Sequence, residues 1–148
     1  QPEPFCPAIN DFSCARSLTM SHLNGFDHVQ LAMPAGQEDQ ARAFYGDILG
    51  LCEIEKPEPL RARGGCWFNG QGFQIHLGVE EDFRPARKAH PAFLVADLAA
   101  FKHYLQQSGI AFQDDTTVAG VRRLYIADPF GNRIECIQDG DGFNQRSE

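Results

Sequence analysis

The sequence predicts an α+β fold in which one βαβββ unit is used twice, with the helices on the outer face. Three observations carry this. The apolar periodicities run strand, helix, strand, strand, strand, and then repeat in that order. Two hairpins match: Asn69-Gly70-Gln71-Gly72 leads into Phe73-Gln74-Ile75-His76-Leu77, and Asp128-Pro129-Phe130-Gly131 leads into Asn132-Arg133-Ile134-Glu135-Cys136. In each, an ionisable residue follows the closing glycine by four positions. Finally, His28 and His90 hold matched places in two strand-like runs, as do His76 and Glu135.

The elements follow in order. Residues 26–33 read as a strand with Phe26, His28, Gln30 and Ala32 opposing Val29, Leu31 and Met33, because successive side chains point to opposite faces. Residues 37–49 read as a helix, with Ala41, Phe44, Tyr45, Ile48 and Leu49 on one stripe and Gly50 as its C-cap. A short strand is expected over 51–55, then a loop rich in Pro and Arg. Residues 65–68 and 73–79 form a hairpin. Trp67 and Phe68 straddle its first strand, so one of the two belongs in the core.

After a linker over 80–89 the pattern restarts. Residues 90–95 are a strand apolar on both faces. Residues 98–107 are a helix with Leu98, Phe101 and Leu105 on one face, ended by Gly109. A short strand over 110–113 precedes a second hairpin over 122–127 and 132–138. Pro129 and Gly131 suit a type I turn there.

A chain of 148 residues is long enough for one domain with a substantial core. The domain is expected over 25–140, with modules 25–80 and 89–140. Residues 1–24 form an N-terminal extension and 141–148 a polar tail. The extension lacks the basic start and apolar run of a signal peptide. A net charge of −7 and a pI near 5.1 argue against nucleic acid or anionic membranes as partners. No apolar run approaches the roughly 20 residues that span a bilayer. Five scattered cysteines give no disulfide framework and fit a reducing, cytoplasmic setting.

Alternation puts His28, His76 and Glu135 opposite the apolar rows of their strands, on a face that lines a concave cleft. With His90 they make three imidazoles and one carboxylate, a donor set for a divalent metal: Zn, Ni, Fe, Co or Mn. Glu135 reads alternatively as a surface carboxylate paired with Arg133. Arg123 and Tyr125 share a strand face and read as holders of a substrate oxyanion, or Arg123 as a solvated strand residue. Gln30 is a candidate substrate contact. His22 and His103 do not fit the repeat. The mixed charges between Glu80 and Lys88 read as a solvated linker or as an anion gate.

Several of these motifs together resemble the vicinal oxygen chelate superfamily, which includes glyoxalase I, bleomycin- and fosfomycin-resistance proteins and extradiol dioxygenases. The resemblance rests on Phe26-Asp27-His28-Val29, Ala43-Phe44-Tyr45 with Leu49-Gly50-Leu51, Ile75-His76-Leu77, Ala89-His90 and Asp128-Pro129-Phe130-Gly131-Asn132-Arg133-Ile134-Glu135, across about residues 25–138. It implies paired modules forming a half-barrel around a divalent metal held by His28, His76, His90 and Glu135, with Glu135 doubling as a proton-transfer base. It implies a metal-dependent lyase or isomerase acting on a small oxygenated metabolite by bidentate chelation, working as a homodimer.

His76 stands where glyoxalase I usually carries Glu, which separates this chain from that enzyme's pattern. The resemblance also leaves two alternatives. One is a bleomycin-resistance-type binding protein without catalysis. The other is an Fe(II) extradiol-type dioxygenase, using His28, His90 and Glu135. Tyr125 matches a seventh-strand Tyr of the fosfomycin-resistance enzymes.

Overall fold

A computed structural model describes residues 22–143. The reading of 1–21 as extension and of 144–148 as tail lies outside the described residues. Two four-stranded mixed sheets carry the fold. The first is ordered β1 (Val29–Met33), β4 (Gln74–Val79), β3 (Cys66–Asn69), β2 (Cys52–Ile54). The second is ordered β5 (Ala92–Val95), β8 (Arg133–Gln138), β7 (Arg123–Ala127), β6 (Gln113–Asp115). In both, the leading strand pairs parallel with the last of its module and the remaining pairs are antiparallel. The α+β repeat read from the sequence is therefore the architecture, and the two sheets close no barrel.

Register makes the repeat quantitative. Gln30 stands opposite His76 across β1–β4, and Ala92 stands opposite Glu135 across β5–β8. His28 and His90 each lie two residues before those partners, just ahead of strands expected to include them, and their side chains meet His76 and Glu135.

The inward rows meet in one core. Met33, Phe68, Ile75 and Leu77 come from the first sheet, and Leu124, Ile126, Ile134 and Cys136 from the second. Phe44, Tyr45, Leu98 and Leu105 cover them from the helices. Of the five cysteines, Cys6 and Cys14 lie outside the described residues, and Cys52, Cys66 and Cys136 are free thiols. Burial pushes the thiols of Cys66 and Cys136 up to about 11 and about 12, so both stay protonated and inert.

Several expected boundaries shift, for physical reasons. The helix over 37–49 is one α-turn, α1 (Glu38–Ala41), widening into π-helical turns over Arg42–Ile48. Leu49 N–H donates to Phe44 O, five residues back, at 2.9 Å. Phe44 and Tyr45 both stay buried through the wide turn, as the apolar stripe predicts. The loop over 57–64 contains a one-turn helix, α2 (Glu58–Arg61), entered through Pro57.

α3 (Leu98–Gln107) matches its expected span, and Asp97 caps it by accepting from Ala100 N–H at 2.9 Å. The strand expected over 110–113 moves to β6, because Ile110 and Phe112 cover the core and Ile110 N–H closes the helix end on Leu105 O. β5 does alternate: Phe93 and Val95 turn inward while Leu94 is 63% exposed.

The second hairpin ties the modules together. Asp128 to Asn132 form a three-residue loop with Gly131 N–H bonding to Asp128 O at 3.1 Å and Gly131 at φ +88°. The buried Asp128 carboxylate accepts from Phe130 N–H, Asn132 N–H, the Asn132 amide and the Tyr45 hydroxyl, at 2.7–2.9 Å. Asn132 Nδ2 also donates to Ala32 O at 2.8 Å. Burial, and then the charge of Asp128, push the Tyr45 phenol well up, so it stays a donor. Among the described residues no helix is long and apolar enough to cross a membrane.

Candidate metal centre

The second sheet supplies a pair built on charge. His90 Nε2 lies 2.9 Å from Glu135 Oε2. His90 Nδ1 faces the Lys88 carbonyl at 2.7 Å, and a carbonyl only accepts, so Nδ1 carries the proton. Nε2 and the carboxylate oxygen are both acceptors unless a cation lies between them, so this spacing calls for a proton or a metal ion. The other oxygen, Oε1, accepts from Arg123 Nη1 at 2.9 Å. Arg123 Nη2 in turn donates to Asp115 Oδ2 at 2.8 Å. The Glu135 carboxylate is nearly fully buried, so these partners are what allow its charge to stay there.

The first sheet supplies a pair built on stacking. The His76 ring lies parallel to Trp67, with centroids 3.7 Å apart and planes at 4°. His28 stacks on its other side at 3.9 Å and 16°. His28 Nδ1 bonds to Asp27 Oδ2 at 2.6 Å, leaving Nε2 outward. His76 Nε2 faces Gln74 Oε1 at 3.0 Å. Burial, and then the nearby His28, hold the His76 imidazole below its usual range, so it is neutral at pH 7.

The residues can be tested against a divalent ion. Bonds of about 2.1 Å at right angles place neighbouring donors about 3 Å apart, which is the spacing His90 and Glu135 already have. His28 and His90 each have Nδ1 tied to a carboxylate or carbonyl with Nε2 presented outward, the usual arrangement of a ligating imidazole. These three fit. His76 does not fit as it stands: nearly parallel stacked rings send their in-plane lone pairs side by side, not toward one ion. Among the described residues no three of His, Cys, Asp and Glu gather into a metal-holding group. The four expected ligands thus come together as two pairs, not as one constellation within the chain.

The other sequence candidates take different places. Arg123 is spent on Glu135 and Asp115 and so is not a free oxyanion holder. Tyr125 is half-buried on the same face, edge-on to His90 at 5.7 Å. Gln30 lies over Gly78, where a Cβ would approach its amide nitrogen to 2.7 Å. The pairing of Glu135 with Arg133 does not form; Arg133 instead lies over the Tyr125 ring at 3.9 Å. Of Trp67 and Phe68, Phe68 is the core residue. Trp67, which sequence reasoning left unassigned, faces the cleft opposite His76. His22 is exposed at the edge of the described residues, and His103 is exposed on α3.

Comparison with known proteins agrees with this fold. Residues 25–136 match the family model of the Glyoxalase/Bleomycin resistance protein/Dioxygenase superfamily. "Glyoxylase I 4" of Arabidopsis thaliana is 29% identical over 125 residues, covering 77% of this chain and 70% of that protein. A glyoxalase family protein from Bacillus anthracis superposes with TM-score 0.77 at 51% identity, covering 79% of this chain and 96% of that one. Lactoylglutathione lyase from Agrobacterium tumefaciens shares the fold at TM-score 0.66 and 21% identity, over 84% and 99% of the two chains. With its repeated modules, matched register and model-length similarity, the chain belongs to the Glyoxalase/Bleomycin resistance protein/Dioxygenase superfamily.

Proposed function

We propose that this protein is a metal-dependent enzyme of the glyoxalase type, a lyase or isomerase that binds a small oxygenated metabolite through two of its oxygens. The single observation that carries the reading is the His90–Glu135 pair, spaced like neighbouring ligands and buried with an outer ring of partners. His28, His90 and Glu135 would hold a divalent ion, with His76 beside them. When bound, such an ion supplies Lewis acidity toward a developing enolate or oxyanion. Arg123 holds Glu135 Oε1, so a proton can be taken only at Oε2, the oxygen shared with His90. This limits Glu135 as a base to moments when Oε2 is released.

The separation of the two pairs supports a homodimer in which one chain's His28 side meets the other's His90–Glu135 side. Among the described residues β1 and β5 are edge strands with no strand on their outer side, and Phe26 beside β1 and Leu94 on β5 are 94% and 63% exposed. A second copy would cover both.

A second reading is favoured by the His76 stack. With that imidazole withheld, the donors reduce to two histidines and one carboxylate, the set of non-haem Fe(II) oxygenases. Metal titration of the purified protein by calorimetry, with His28→Ala and Glu135→Gln alongside, tests the common core of both readings. Tight binding lost in each variant is expected; a full-length protein that takes up no divalent ion sinks them and favours a binding role without metal. Oxygen uptake with Fe(II) and catechol would select the second.

A further inference from the structure

Among the described residues two arginines stand on strands, and they are used in opposite ways. Arg123 is locked between two carboxylates. Arg133, two residues before Glu135 and on its face, makes no ion pair or hydrogen bond among the described residues. Its guanidinium carbon lies over Tyr125, 3.9 Å from the ring centre, and the side chain is half-buried. The nearest candidate counter-charge, Glu135, has both oxygens engaged by Arg123 and His90. The ring attracts the cation and holds it in place without satisfying its N–H groups. A planar, oriented, uncompensated fork beside a metal half-site matches the two oxygens of an oxyanion.

We propose that Arg133 is the substrate-recognising cation of this cleft, and that the substrate is a vicinal-oxygen chelator carrying a separate oxyanion, a carboxylate or a phosphoryl group. The inference rests on the reading above, since the chelating oxygens need the metal. Arg133 selects among chelators; it moves no proton. Tyr125 acts through Arg133 as a positioning residue.

The test compares probes that share one chelating unit. Calorimetry on the metal-loaded full-length protein measures malate against lactate, and 3-phosphoglycerate against glycerate. At least one charged probe should bind about tenfold tighter than its partner, in keeping with charge-assisted bonds. In Arg133→Met that ratio should fall to about one, and in Arg133→Lys it should be partly kept. Which pair shows the preference tells carboxylate from phosphoryl. Thermal melting confirms that the variants fold.

Equal affinities within both pairs for the wild type would overturn the proposal while leaving the metal reading intact, as would an unchanged ratio in folded Arg133→Met. If the preference instead appears without any metal uptake, the metal reading falls and the role of Arg133 stands. If metal is taken up but no probe binds, the proposal falls and the metal reading stands; only the absence of both metal uptake and probe binding sinks both.

Discussion

At the β1–β4 end of the molecule His76 lies between Trp67 and His28, ring on ring. At the β5–β8 end Glu135 lies between Arg123 and His90, charge on charge. The backbone treats the two places alike: the same parallel pairing, the same register, the same hairpin leading in. What differs is the residue on the central strand and the neighbour it recruits from the next. Tyr125 stands opposite Glu135 as Trp67 stands opposite His76, yet only the tryptophan lies flat on its partner. An uncharged imidazole can be buried by stacking, whereas a buried carboxylate needs counter-charge. One half-site is therefore electrostatically poised for a cation and the other is shaped by aromatic packing.

Removing Arg123 should break the charged half most severely. Arg123→Met should weaken metal binding by about 10–100-fold, the usual cost of losing an outer partner of a ligand. The loss of a positive charge near the ion works in the opposite direction. Loss of orientation should win, because Glu135 is left buried with one oxygen unmatched. Calorimetric titration checks this, and unchanged or tighter binding would show that Arg123 does not position the carboxylate.

Removing the stack should matter less. Trp67→Leu should cost about 0.5–1.5 kcal/mol of stability beyond lost area, read by urea denaturation. Its metal affinity should change by less than about tenfold. An effect as large as that of Arg123→Met would mean that the stack is what presents His28.

The smallest effect is a pH slope. The folded protein holds the His76 imidazole below its ordinary value of 6.5, so the unfolded chain binds more protons in the window just below that value. Stability therefore rises with pH there: the group costs nothing above the unfolded value and destabilises as pH falls through it. Denaturation at pH 7.5 and 5.5 should show a smaller acid loss for His76→Gln than for the wild type. An equal or larger loss would show that burial does not disfavour the charged ring.

The repeat was legible because a strand reports its face through alternation, and because both hairpins carry a glycine before the matched residue. The pairing of Glu135 was not. Spacing along one strand pointed to Arg133, two residues away, but the arginine that reaches Glu135 comes diagonally across the ladder from β7, a separation that a long side chain spans. The role of Trp67 lay within reach, since pairing β3 with β4 across Gly70–Gly72 puts it opposite His76. The division of the ligands into two pairs was beyond reach, because it depends on how two rigid sheets are set around one core and not on any local pattern. The β6 shift has the same origin: Ile110 and Phe112 suit a strand locally, but the core takes them first.

The central claim is that His28 and Glu135 serve one metal from different chains. Mixing His28→Ala and Glu135→Gln proteins, unfolding and refolding them together, and measuring bound metal tests this directly. Each variant alone should bind almost none. Random pairing makes half the dimers mixed, each with one intact site, so the mixture should recover about one quarter of the wild-type metal content. A mixture that binds no more metal than the two variants apart would contradict the shared site.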